Sequence, residues 1–312
     1  MRTDTRAAAE HFASAAHDLG AGPAAHGAHA AGGQSALAAT GGPDLGKPRL
    51  TPSSRIITLA PSATELVYAA GAGADIVGTV LHSDYPPAAR DIPRIGDGVQ
   101  ASEEAILALR PTLVVAWYPT DASRALASRL QALGTPLIYA DPKTLDDIPA
   151  LVRELGQRLG TQVRADATAS ALQQRIDRLP LASQPTQTVF IEISTDPLFT
   201  LGRDPLINDL LSRCGGRNLY ADSRVAAPQV SVESVLHLNP HVLIMSPYGR
   251  ETLTARTRWW AEHGLAAARQ GRIYAIDPDW LHRPGPRLID AAEAICRDLA
   301  QARAHSRMPS TP

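Results

Sequence analysis

A chain of 312 residues with 44% hydrophobic content has enough apolar material for one large core or two smaller ones. Thirty basic against 31 acidic residues leave a formal charge of -1, which excludes a general electrostatic attraction to nucleic acid or anionic membrane. No apolar run approaches the roughly 18–20 residues of a spanning helix, so a soluble protein is expected.

Residues 1–54 are rich in Ala, Gly, His and Pro and poor in large apolar side chains. They cannot bury enough surface to offset their ordering entropy and read as a disordered extension. The basic residues Arg2 and Arg6 are not followed by an apolar core of about 7–15 residues, so no secretory signal is visible. His11, His17, His26 and His29 could hold a stray metal ion, but a bland role is the commoner outcome for histidines in such a tail.

Folded structure is expected from residue 55. Strands are predicted over 56–60, 76–79, 113–116 and 137–139, with helices from Pro61-Ser62 onward and over 103–109, 122–133 and 146–159. Ser62 and Glu65 have capping-box spacing for the first helix. Alternation of this kind implies a parallel sheet covered on both faces. From 162 to 179 the residues Val163, Ala167, Ala171, Leu172, Ile176 and Leu179 repeat at helical period between Gly160 and Pro180, predicting one stiff connecting helix. A second α/β lobe follows, with strands over 189–193 and 273–276 and helices over 206–214 and 287–302.

Each lobe carries nearly the same unit. Ser102-Glu103-Glu104-Ala105-Ile106-Leu107-Ala108-Leu109-Arg110-Pro111 precedes the apolar run 112–116, and Ser231-Val232-Glu233-Ser234-Val235-Leu236-His237-Leu238-Asn239-Pro240 precedes 241–245. A Ser-capped helix, stopped by Pro and delivered into a strand, is a complete αβ unit. Its recurrence predicts two similar lobes with Glu104 and Glu233 at matched positions.

Aromatic residues make up only 4% of the chain, so their placement is informative. Trp117 and Tyr118, Phe199, Tyr248 and Trp280 follow predicted strands, and Tyr85 stands in a loop after 76–79. Ligands bind outside the carboxyl ends of parallel strands, so the set predicts an inter-lobe cleft with flat apolar walls; singly, each could merely cap its own sheet. There is no GxSxG, HExxH, Walker or GxGxxG motif, and no catalytic residue is assigned. Pro240 between His237 and His241 breaks the helix that would align a metal pair, so no metal site is assigned. His82 and His282 lie in candidate cleft loops, where hydrogen bonding is commoner than coordination. The two cysteines, Cys214 and Cys296, are either separate buried thiols or one disulfide.

Ser83-Asp84-Tyr85-Pro86-Pro87, the run ending at Trp117, Cys214-Gly215-Gly216-Arg217-Asn218, Pro228 to Glu233 and Asp279-Trp280-Leu281-His282-Arg283 together resemble the periplasmic cobalamin-binding proteins of ABC importers. The wider family also includes haem and siderophore binders. This resemblance covers about residues 55–303. It implies an α/β fold of two Rossmann-like lobes with parallel sheets joined by one long helix: a lobe at 55–160, a linking segment at 161–185, a lobe at 186–303, and a disordered tail at 304–312. It implies a binding protein rather than an enzyme, with no cofactor of its own, which holds cobalamin or a related corrinoid and acts as a monomer in the periplasm. Partners would be the membrane permease and ATPase subunits of an ABC importer, and no nucleic acid.

By the same resemblance, Tyr85, Trp117, Phe199, Asp279, Trp280, Leu281, His282 and Arg283 bind ligand. Glu104 and Glu233 dock the permease, and Cys214 and Cys296 pair. The sequence departs from the best-known members at Gly98 and Ala227, where they carry cleft tryptophans. That removes two stacking surfaces, favours a smaller corrinoid precursor or another tetrapyrrole over cobalamin, and lowers affinity. The alternatives are a haem or siderophore binder of the same fold, with Tyr85, His82 or His282 as an axial ligand, and a corrinoid-processing enzyme on the same scaffold.

Overall fold

The computed structural model describes residues 54–98, 100–180, 186–246 and 252–307. The expectations for residues 1–53, for the end of the chain from 308, and for Tyr248 lie outside the described residues.

Short apolar runs rich in β-branched residues form two separate sheets. Strands β1 (Ile56–Thr58), β2 (Ile76–Gly78), β3 (Leu113–Ala116) and β4 (Leu137–Tyr139) pair in parallel in the order β2-β1-β3-β4. The second sheet contains β5 (Gln187–Thr195), β6 (Leu198–Thr200), β7 (Gly216–Asn218), β8 (Val242–Met245) and β9 (Ile273–Ala275). Its order is β6-β5-β8-β9, with β7 also on β5, and only β6 runs antiparallel. Two parallel sheets in an α/β chain match the expected class. The expectation that Phe199 hangs past a strand end needs correction, because the short turn after Thr195 folds it back as β6, opposite Ser194.

Helices cover both sheets: α1 (Pro61–Ala69), α2 (Glu103–Ala108), α3 (Asp121–Ala132), α4 (Asp147–Leu159), α5 (Gln162–Asp177), α6 (Pro205–Arg213), α7 (Val232–Leu238), α8 (Leu253–Glu262), α9 (Ala266–Arg269), α10 (Pro278–Leu281) and α11 (Leu288–Arg307). The two repeat helices start as predicted. The Ser102 hydroxyl accepts from the Ala105 N–H and the Ser231 hydroxyl from the Ser234 N–H. Both units also turn at the same place, since Arg110 and Asn239, each just before the proline, have φ of 43°. The capping box expected for α1 does not form. Its N-cap is Ala60 with no side-chain bond, Pro61 opens the first turn, and Glu65 is turned to partners elsewhere.

Alternation along the strands divides the core. Ile56, Val115, Val189, Ile191 and Ile244 face one shared cluster that runs through both sheets, α1, α4, α5 and α11. Ile57 and Val114 face outward onto Ile106 and Leu130, while Phe190 and Leu243 face Val235 and Trp260. The repeat helices α2 and α7 therefore lie on corresponding outer faces.

The connecting helix α5 is built into the shared cluster. It buries Ala165, Ala169, Leu172 and Ile176, whereas Val163 is 86% exposed, so the buried stripe is rotated from the one predicted through Val163, Ala167 and Ala171. Small residues let it approach α4 closely: a Cβ on Gly156 would overlap that of Ala165. Arg175 ties α5 to α11 through Asp290 at 2.5 Å and Glu293 at 2.8 Å. Across the other side, the Leu145 N–H donates to Asp209 on α6 at 2.9 Å, and Arg213 pairs with Asp146 at 2.5 Å. Cys214 and Cys296 are joined in a disulfide between the end of α6 and α11, which decides between the two readings left open above. Closing a loop of this length stabilises by about 4–5 kcal/mol in the chain-entropy account.

Candidate ligand-binding site

Parallel pairing brings the carboxyl ends of the strands in each sheet to one edge. Chain leaving β2 at that edge carries Ser83, Asp84 and Tyr85, with a 3₁₀ turn over Pro87–Asp91 behind them. Chain leaving β9 carries α10 and the segment to α11, with Asp279, Arg283 and Arg287. These two segments meet. Arg283 donates to Asp84 at 2.7 Å and to Asp279 at 2.8 Å, and it approaches Glu65 at 3.5 Å. Arg287 donates to both Glu65 oxygens, at 2.6 and 3.1 Å, and its guanidinium carbon lies 4.3 Å from the centre of the Tyr85 ring.

The cluster joins the lobes through charge. Glu65, in α1, is 3% exposed, and Arg283 is 8% exposed. Burial pushes the Glu65 carboxyl above its usual range while Arg287 and Arg283 pull against it. Burial also works upward on Asp84, but its bond and charge contact with Arg283 carry the carboxyl below the usual range. Both guanidiniums resist their own desolvation through these carboxylates and titrate higher than usual. Two arginines held this way offer planar donors beside the Tyr85 ring.

Tyr85 is 45% exposed, and His82 beside it is exposed with φ of 64°. Trp117 follows β3, half-buried, with its ring edge-to-face on Tyr118 at 4.8 Å. Phe199 on β6 and Trp280 in α10 are likewise partly buried against the shared core. Leu281 is 2% exposed and is a core residue. His282 donates from Nε2 to the Ser246 carbonyl, 3.1 Å away, and desolvation pushes its imidazole down to about 4. The structure thus gathers Tyr85, Asp279 and Arg283 into one cluster and leaves three half-buried aromatics apart from it, Trp117 just after β3, Phe199 within β6 and Trp280 within α10; Leu281 is buried in the core beside Trp280. Gly98 has φ of 100°, a conformation that a tryptophan would strain, and Ala227 is buried.

Glu65 and Arg287 were missed from sequence. S-x-x-E spacing pointed Glu65 at a local cap, and nothing local reveals a partner 222 positions away. Among the described residues no group of three or more His, Cys, Asp and Glu side chains could hold a metal ion. Nor is any helix among them long and apolar enough to cross a membrane. A surface pocket of about 290 Å³ lies elsewhere, between α5 and α11, lined by Arg175, Arg178, Glu293 and Arg297, without an aromatic wall.

Glu104 and Glu233 are both exposed in the first turns of α2 and α7. Neighbouring Glu103 is engaged by Arg129 of α3, whereas no ion-pair partner is found for Glu104 among the described residues. The Glu233 carboxyl is held below its usual range by its own backbone N–H and the Ser231 hydroxyl.

Comparison with known proteins agrees with this geometry. The family described as periplasmic binding protein matches residues 56–280. The vitamin B12-binding protein of Pectobacterium atrosepticum is 37% identical over 254 residues, 79% of this chain and 88% of that protein. The crystal structure of the periplasmic vitamin B12-binding protein BtuF of Vibrio cholerae is 36% identical, with a TM-score of 0.73 over 81% of this chain and 98% of that one. The periplasmic haem-binding protein RhuT of Roseiflexus sp. is 29% identical, with a TM-score of 0.68 over 80% of this chain and 99% of that one. Two α/β lobes with their strand ends turned to one charged and aromatic cluster, and a match through both of them, make this chain a member of the periplasmic binding protein family.

Proposed function

We propose that this protein captures cobalamin or a related corrinoid between its lobes and delivers it to the permease of an ABC importer in the periplasm. The observation that carries the reading is the Tyr85, Asp279 and Arg283 cluster between facing strand ends, in a chain 37% identical to a vitamin B12-binding protein. An aromatic face suits the apolar flank of a flat macrocycle, and fixed guanidinium and carboxylate groups suit its amide periphery. Trp117, Phe199 and Trp280 extend the wall, and Asp279 and Arg283 orient the ligand. The lobes are assigned to 55–160 and 186–303, with 161–185 between them. Glu104 and Glu233 meet the permease. The disulfide supports an oxidising compartment.

Titrating the purified protein with cyanocobalamin and with haemin, by calorimetry and tryptophan fluorescence, tests the reading. One corrinoid should bind per chain and quench the indoles of Trp117 and Trp280. Tyr85→Ala should weaken binding by roughly 1–3 kcal/mol, the scale of one well-packed aromatic contact. Far tighter binding of haemin would move the assignment to the haem reading, for which the 29% identical haem-binding structure is the precedent.

A further inference from the structure

We propose that Arg287 is a positioning residue for the binding wall: it clamps one face of Tyr85 from the opposite lobe and presents the other face to the ligand. The ligand arm of this inference rests on the corrinoid reading above; the clamp itself rests on geometry alone. Tyr85 follows β2 on a loop and is 45% exposed, and an exposed loop side chain of this size samples several rotamers unless something holds it. What holds it is the Arg287 guanidinium, 4.3 Å from the ring centre, within reach of a cation–π contact. A planar group covers one face of a ring and leaves the other open.

Arg287 is in turn fixed. Its Nη2 and Nε donate to Oε1 and Oε2 of Glu65 at 2.6 and 3.1 Å, a two-point bond to a carboxylate whose side chain is 2% exposed. Arg283 holds the preceding residue by a single charged bond, donating to Asp84 at 2.7 Å while bonded to Asp279 at 2.8 Å. Asp84 and Tyr85 are therefore fastened by two arginines four positions apart. The ring is oriented before ligand arrives, and the cost of ordering it on binding is reduced. Lysine could keep the charge beside Glu65 but has no flat fork to lie on the ring.

A double-mutant cycle with cyanocobalamin tests the clamp. Arg287→Gln should weaken binding about three- to tenfold in the otherwise unchanged protein, and less than about twofold when Tyr85 is already alanine. Arg287→Lys should recover little of the loss. Equal losses in both backgrounds would overturn the proposal, because Arg287 would then act on the ligand itself or through lobe packing. A ligand-free readout comes from protein carrying ¹³C-labelled tyrosine, with the Tyr85 signal identified by its absence in Tyr85→Phe. Arg287→Gln should shift that signal more than those of the other tyrosines, and an unmoved signal also overturns the clamp. If Arg287→Gln fails to fold because Glu65 is left buried with only the longer Arg283 contact at 3.5 Å, the paired Glu65→Gln, Arg287→Gln variant enters the same cycle without that buried carboxylate. Absence of cyanocobalamin binding in the unchanged protein would sink the corrinoid reading, and the tyrosine spectra would still decide the clamp.

Discussion

The buried charges Glu65, Glu192, Arg256 and Arg283 are each answered by a charged group from elsewhere in the chain. Glu192 on β5 is fully buried, bonded by Arg256 at 2.6 and 3.0 Å and by the Trp260 indole N–H at 2.7 Å. Glu192→Gln should cost about 3–5 kcal/mol, measured by denaturant unfolding, since it leaves the Arg256 guanidinium buried against a neutral amide. Replacing Glu192 and Arg256 together by methionine should recover most of that loss. His282 makes a different test. Its folded-state value of about 4 lies below the ordinary 6.5, so between those values the unfolded chain binds more protons than the folded one. Stability should fall as pH drops from about 6.5 to about 4, by on the order of 2–3 kcal/mol, and flatten below. His282→Gln should remove that slope in thermal melts while keeping a donor for the Ser246 carbonyl. None of these partnerships was legible in the chain, because Glu65, Glu192 and Arg256 have spacings that speak only of their own helix or strand. The placement of Trp117 just after β3 was legible, because an apolar run ending in an aromatic marks the strand, whereas Phe199 falls inside β6.

Secondary structure was readable where period and punctuation agreed. Strands β3 and β4 fall on their predicted limits, and α5 begins at the predicted residue after Gly160, whose φ of 73° closes α4. Strand β7, Gly-Arg-Asn, has no apolar residue to mark it, and β6, Leu-Phe-Thr, follows the Asp196-Pro197 turn too closely to stand out, unlike β4 of the same length with its Leu-Ile-Tyr run. Helix α8 was missed because its apolar residues are sparse: Trp260 is buried, and Arg256 does the inward work of a second apolar residue by pairing with Glu192. Within α5, several alanines made more than one stripe available, and only packing against α4 selects Ala165 and Ala169. That packing has a consequence at the paired helices. Gly156→Ala should destabilise by about 1–3 kcal/mol in chemical unfolding, despite alanine's better helix propensity, because the added methyl has no room against Ala165. A stabilised Gly156→Ala variant would mean that α4 and α5 can move apart, and with them the lobes.

At the scale of the whole molecule, one core runs through both sheets and α5, so the lobes form a continuous body with α2 and α7 on its two outer faces. The helix dipole accounts for a glutamate in the first turn of either helix, by about 0.3–1 kcal/mol, but not for the recurrence of the entire unit. The unit recurs down to its serine cap, its carboxylate one residue into the helix and its left-handed turn before proline. Each helix also exposes a leucine, Leu107 at 37% and Leu238 at 44%, although at positions of the unit that do not correspond. Two matched carboxylates, one on each outer face, would suit a two-fold permease with one basic pocket in each half. Among the described residues no bond or ion pair joins Glu104 or Glu233 to the Tyr85 and Arg283 cluster, so the proposed docking and ligand-binding roles are separable by mutation. Reversing both charges, Glu104→Arg with Glu233→Arg, should leave cyanocobalamin affinity and melting temperature nearly unchanged while abolishing binding to permease vesicles and uptake. Each single reversal should give a partial defect, because one of two equivalent contacts remains. Normal uptake by the double variant would reduce the repeated unit to a trace of how the lobes arose, and loss of ligand together with partner would place the two helices in the cleft's own support instead.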